Sequence, residues 1–168
     1  MKKFFRYVSQ SIAGMIGLSV YILADTYFIS SYAGTDGLAV LNLILPLYGL
    51  LNALGNMIAV GCATRYSIRQ AAGKDVSSFF LQAIFWNFIF ALPFTFFGLF
   101  FPKQVLAILG ANAELQNLGM SYVRIILGSA FLFMANSSMT AFTRNDKNPS
   151  MAMAGSLMGS LFNIVFDY

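Results

Sequence analysis

The sequence predicts an all-α integral membrane protein, and three observations carry that prediction: scarce charge, long neutral stretches, and basic residues gathered on one side. Of 168 residues, 58% are apolar and only 10% are charged. A soluble domain carries about 25% charged residues and cannot clothe its surface with many fewer. Uncharged runs cover residues 7–24, 37–64, 76–102, 125–143 and 148–166, each 18 residues or longer. A hydrocarbon core of about 30 Å takes roughly 20 helical residues to cross, so about five transmembrane helices are expected. In that topology eight cations fall on one side: Lys2, Lys3, Arg6, Arg65, Arg69, Lys74, Arg144 and Lys147. The other side has Lys103, with Arg124 inside the fourth helix and free to snorkel outward. The asymmetry places the N-terminus in the cytoplasm of a multi-pass protein of the cell (plasma or inner) membrane.

The elements follow in order. The first helix covers about 8–31, and Gly34 to Gly37 breaks the chain after it. Lys2, Lys3 and Arg6 before an apolar run resemble a signal peptide. Ser9, Gln10, Ser11, Gly14 and Gly17 dilute that run, and Ile22 is too large for the −3 position of a cleavage site after Ala24, so a membrane span is the better reading. The second helix covers about 38–64, the third about 77–101 after the turn at Gly73 to Asp75, and the fourth about 119–142. Between the last two, Pro102 to Glu114 reads as a short interfacial segment with Val105, Leu106 and Leu109 on one face, ending at Gly110. The fifth helix starts at Pro149 and runs to 168. Pro46 and Pro93 fall inside helices, where neighbouring helices compensate for a lost backbone bond.

Several function classes fall away. There is no His, which removes imidazole-based triads, metal sites and proton shuttles. The single Cys62 allows neither a disulfide framework nor a thiolate metal cluster. No nucleophile elbow, dinucleotide-binding glycine motif or phosphate-binding loop is present. The reading is therefore of a protein that is not an enzyme, with no organic cofactor and no resident metal. The net charge of +4 reads as loop bias, not as a nucleic-acid surface.

Only Asp25 and Asp167 interrupt apolar segments; Asp36, Asp75, Glu114 and Asp146 lie in loops. An ionised carboxylate within a bilayer is expensive, so an intramembrane acid is a functional candidate by default. Asp25 lies 17 residues beyond Val8, and Asp167 lies 18 beyond Pro149. At 1.5 Å per residue, both reach roughly 25 Å from the cytoplasmic edge. Their helices run in the same direction, so the acids can meet at one level. Burial would raise their pKa, whereas a bound cation would favour the charged form. Gly155, Gly159, Asn163 and Asp167 are spaced by four and form one stripe. There the glycines permit close helix packing, and Asn163 lies one turn below Asp167 to share a proton or cation. On the first helix Gln10, Gly14, Gly17, Tyr21 and Asp25 also share a face. Asn42, Asn52, Asn56 and Thr64 on the second helix, with Asn136, Ser137, Ser138 and Thr140 on the fourth, read mainly as interhelical hydrogen-bond glue. Phe and Met richness reads mainly as lipid-facing or packing surface, though adaptable walls also suit promiscuous binding.

Three stretches resemble the N-terminal part of the multidrug and toxic compound extrusion (MATE) family. The first is YILADTYFISSYAGTDGLAVLNLILPLYGLLNALGNMIAVGCATRYSIRQAAGK, with its intramembrane Asp, outer Gly loop, helical Pro and final Gly. The second is AFTRNDKNPSMAMAGSLMGSLFNIVFDY, which carries Asn-x-x-x-Asp. The third is LAILGANAEL followed by YVRI. The resemblance implies about five helices of a six-helix lobe, hence a partial N-terminal lobe over 1–168, with the second lobe in the same or another chain. It implies a cation-coupled antiporter that exports amphipathic or cationic small molecules, with H+ or Na+ as coupling ion. It also implies that the coupling site comprises Asp25, Asn163 and Asp167, with Na+ possible at the two acids. A hydroxyl residue of the sixth helix that joins them in the family has no counterpart in this sequence. The Pro that some members carry in the first helix is absent too, which sets aside coupling by bending at that residue.

Two other readings stand beside it. A lipid-linked oligosaccharide flippase shares the architecture but needs a cationic cavity, for which Arg124 alone is a candidate. An intramembrane aspartyl peptidase would also pair two acids, but nothing around Asp25 or Asp167 resembles such a motif.

Overall fold

The computed structural model describes the backbone of residues 2–145 and 149–167. Many side chains of residues 2–25 and 163–167 lie outside the described residues. The helices are α1 (Lys2–Ala71), α2 (Phe79–Phe100), α3 (Pro102–Ile108), α4 (Ala113–Gly128), α5 (Ala130–Asn145) and α6 (Pro149–Asp167). No strand occurs among the described residues. The chain forms two compact units, one of Met1–Leu38 with Thr143–Tyr168, the other of Ala39–Phe142.

α1 is two helical limbs joined at one residue. Gly34 has φ 61° and ψ −147°, a backbone region that only glycine occupies readily. The expected four-residue break is thus concentrated on Gly34, and helix resumes at once. The second limb extends past the expected end at 64 to Ala71, because Arg65, Arg69, Gln70 and Ala71 are all good helix formers. It stops in a Schellman arrangement: Lys74 N–H donates to the Arg69 carbonyl (3.0 Å) and Gly73 N–H to the Gln70 carbonyl (3.1 Å). Gly73, at φ 67°, supplies the left-handed residue that this cap requires.

α2 shows why this is a membrane fold. Its buried positions are Phe79, Ala83, Asn87, Ala91 and Gly98, a stripe of mostly small or polar residues at helical spacing. Its exposed positions include Phe85, Trp86, Phe88, Phe96, Phe97 and Phe100. In water that arrangement is inverted, but in lipid small residues belong at helix contacts and bulky apolar ones face outward. At 22 residues, α2 spans about 33 Å, the thickness of the hydrocarbon core.

The fourth helix differs from expectation. Helix begins at Ala113, six residues before 119, because Asn112 caps it by accepting a 2.9 Å hydrogen bond from Leu115 N–H. It then breaks at Ser129, and α4 and α5 meet at 44°. The Gly128–Ser129 pair accounts for the bend. Thr95 of α2 donates its hydroxyl to the Leu127 carbonyl at 3.2 Å, satisfying an acceptor beside the break. The interfacial segment condenses into α3, with Leu106 fully buried and Ile108 exposed.

Glycine sets the spacing within the second unit. A Cβ on Gly55 would lie 2.9 Å from Met134 Cα, one on Gly98 2.2 Å from Leu127 Cβ, and one on Gly119 2.7 Å from a Val40 methyl. Around these approaches lie the buried residues Ile44, Leu51, Ala83, Val123, Ala130 and Met134. At one end Phe142 of α5 packs edge-on against Tyr66 of α1 and Phe80 of α2, with centroids 5.4 Å apart in both pairs.

Among the described residues, Thr26–Ala71 and Phe79–Phe100 are long and apolar enough to cross a membrane, and the bent pair α4 with α5 passes the same test only when the two are taken together. The first limb of α1 before Thr26 and α6, the other two expected crossings, include many residues outside that set.

Candidate functional site

Asp25 lies on the first limb of α1, and Asn163 and Asp167 lie on α6. The three side chains are outside the described residues, as are those of Gln10, Gly14, Gly17 and Tyr21. The backbone assigns the two helices to one compact unit, Met1–Leu38 with Thr143–Tyr168. Thus the helix bearing Asp25 and the helix bearing Asn163 and Asp167 share a unit, although 138 residues of sequence separate Asp25 from Asn163.

Gly155 and Gly159 are exposed, and a Cβ on either would meet no described atom within 4 Å. Among the described residues, close helix packing falls instead to Gly55, Gly98 and Gly119. A glycine spacing only removes bulk, and a contact also requires a partner residue at the same height.

Polar residues of the second unit divide into two groups. Asn52 donates to the Tyr48 carbonyl (3.1 Å) and Asn56 to the Asn52 carbonyl (2.9 Å), both within their own helix. Those two amides therefore do not act as glue through these bonds. Ser138 does: its hydroxyl accepts a 2.7 Å hydrogen bond from Asn87 Nδ2, and both side chains are fully buried between α2 and α5. Asn87 Oδ1 has no partner among the described residues. Sequence reading passed over Asn87; its signal was an amide in the middle of the Phe-rich run of α2.

Charge sits at the helix ends. Arg65 and Arg69 occupy the last turns of the second limb of α1, and the Arg69 guanidinium lies 5.6 Å from the centre of the Phe79 ring. In the following turn Asp75 accepts from Ser77 N–H (3.0 Å) and from the Ser77 hydroxyl (3.1 Å). The hydrogen bonds from Ser77 hold the Asp75 pKa below the ordinary carboxylate value.

Comparison with known proteins places this architecture. The MatE family model matches residues 11–168. The multidrug export protein MepA of Staphylococcus aureus is 32% identical over 166 residues, which cover 94% of this chain and 36% of that protein. MepA of Staphylococcus saprophyticus is 29% identical over the same shares. Among solved structures, a MATE protein in complex with MaD3S superposes with a TM-score of 0.83 at 26% identity, covering 96% of this chain and 37% of that one. A MOP superfamily transporter from Pyrococcus furiosus gives 0.82 at 27%, covering 96% and 36%. The chain thus spans about a third of the length of the relatives it matches. It is a multi-pass membrane protein of the cell membrane, and it belongs to the MatE family.

Proposed function

We propose that the protein exports amphipathic or cationic small molecules across the cell membrane by antiport against H+ or Na+, with Asp25, Asn163 and Asp167 as the coupling site. The observation that carries this reading is the pairing of the Asp25 helix with the Asn163 and Asp167 helix in one compact unit. Two acids on helices of one unit of a membrane protein have no inexpensive structural role. Asp25 is the main proton or cation acceptor, Asp167 its partner and Asn163 the orienting amide. Relatives of this chain are multidrug export proteins, which supports export as the direction and xenobiotics as the cargo. The basic residues of the 65–74 turn fit the cytoplasmic side under the positive-inside rule. In this reading the chain works as an N-terminal lobe beside a second lobe, in the same or another polypeptide, and the two alternate access to a shared cavity. An enzymatic role has no support from the relatives, which are transporters.

The test is efflux of a fluorescent cation from membrane vesicles containing the protein, energised by a proton gradient or a sodium gradient in turn. One gradient should drive efflux, and Asp25→Asn should abolish it while leaving the cation bound at equilibrium. Unchanged gradient-driven efflux in Asp25→Asn would overturn the assignment.

A further inference from the structure

Within the second unit an open groove of about 510 Å³ runs between the second limb of α1 and the start of α2, lined by Met57, Ile58, Gly61, Cys62, Arg65, Phe79, Gln82, Trp86 and Phe90. The two helices are joined by a short turn and run antiparallel, so the lining has a polarity axis. Arg65 and Gln82 lie near the helix ends. Met57 and Phe90 lie eight residues further in on each helix, about 12 Å deeper. A polar mouth at the level of the helix ends, with an apolar trough below it, has the polarity profile of a lipid leaflet.

We propose that this groove holds an anionic phospholipid, with its phosphate on Arg65 and an acyl chain along Met57, Trp86 and Phe90. Charge complementarity selects the headgroup. The mouth carries Arg65, and Arg69 in the last turn of α1 and Lys74 just beyond it add to the charge. The one carboxylate of the turn that follows α1, Asp75, has both oxygens turned onto Ser77. Each juxtamembrane cation favours an anionic lipid by about fivefold. The apolar wall selects a chain. Trp86 is 48% exposed and Met57 61%, and the Trp86 and Phe90 rings, with centroids 6.2 Å apart, form one continuous aromatic wall. Gly61 in the floor keeps the trough clear of a side chain. The inference is independent of the transport reading, since it needs only a membrane-embedded fold.

Trp86 is the single tryptophan of this sequence, so the occupant can be read by quenching. The protein is placed in phosphatidylcholine nanodiscs with a minor component of acyl-brominated phosphatidylglycerol or acyl-brominated phosphatidylcholine. The Trp86 signal is taken as the difference from Trp86→Phe. Brominated phosphatidylglycerol should quench at about a fifth of the concentration needed for brominated phosphatidylcholine. Arg65→Gln should weaken that preference, leaving only what Arg69 and Lys74 contribute, and Arg65→Lys should retain it. Equal quenching by the two lipids would overturn the proposal in favour of ordinary lipid exposure. Absence of quenching by either would overturn it in favour of a protein segment covering the groove. Should Arg65→Gln fail to fold, the headgroup comparison in the unsubstituted protein decides alone.

Discussion

Adding one methyl group at Gly98 tests the packing of α2 on α4. A Cβ there would lie 2.2 Å from Leu127 Cβ and 3.3 Å from the Leu127 Cα and carbonyl carbon. Carbons in contact stand about 3.5–4.0 Å apart, so Gly98→Ala forces the helices apart by roughly 1.5 Å. Leu127 cannot yield by changing rotamer, because the clash is with its Cβ and backbone. It is itself almost fully buried, and its carbonyl accepts the Thr95 hydroxyl at 3.2 Å. Overpacking of this kind costs about 1–3 kcal/mol, at its upper end for so deep an overlap, while replacing a helical glycine by alanine returns about 1 kcal/mol. The net expectation is a loss of about 2 kcal/mol. Gly49→Ala is the control, since a Cβ there meets nothing within 4 Å, and it should be neutral or stabilising. Thermal unfolding of both purified variants in one detergent reads the difference. Leu127→Ala should not rescue Gly98→Ala, because alanine keeps the offending Cβ. If Gly98→Ala unfolds at the same temperature as Gly49→Ala, the close approach of α2 and α4 is wrong.

Three further outcomes are expected. Ser138→Ala should destabilise the protein by about 1–3 kcal/mol, leaving the buried Asn87 amide unpaired. Asn87→Leu should cost less, because it removes the orphaned acceptor and lets Ser138 turn to a backbone carbonyl of its own helix; the reverse order in thermal unfolding would sink this account. Gly34→Ala should cost about 1–3 kcal/mol through the backbone alone, as no described atom lies within 4 Å of the added carbon. Gly34→Asn should do no better, because ψ −147° is far from the left-handed helical region that asparagine tolerates. At Asp75 the folded pKa is depressed, so the hydrogen bonds from Ser77 stabilise the turn above the ordinary carboxylate pKa and lose that effect as pH falls through the folded value. Protection of the Ser77 amide from hydrogen exchange, taken relative to the intrinsic rate at each pH, should fall over that window, and Ser77→Ala should move its onset to higher pH; an onset that stays put would contradict the assignment.

Much of the fold was legible because charge is so rare here. The neutral runs 37–64 and 76–102 have to be placed in lipid, and that alone locates the second limb of α1 and α2. The bend at Ser129 was less legible. Hydropathy runs smoothly across Gly128 and Ser129, and only the residue pair itself, a common site of kinks, marks the place. Asn87 escaped because apolar periodicity was the guide. In a bilayer the apolar moment points to lipid, so the protein-facing stripe has to be sought in Ala83, Asn87, Ala91 and Gly98.

The glycines carry that argument one step further. Gly155 and Gly159 form the familiar small-residue spacing, yet no described atom packs on them, whereas the isolated Gly98 holds the closest helix approach described for any glycine. A glycine in a membrane helix says that a neighbour can come close, and the neighbour decides whether it does. Leu127 is that neighbour for Gly98, and it belongs to α4, a separate helix 29 residues further along the chain. The acids differ in kind. An ionised carboxylate is costly in lipid wherever its neighbours stand, so composition and depth alone make Asp25 and Asp167 candidates. A residue that is expensive in its own environment is visible from one sequence, while a residue whose role is to leave space becomes visible only when the element that fills the space is known.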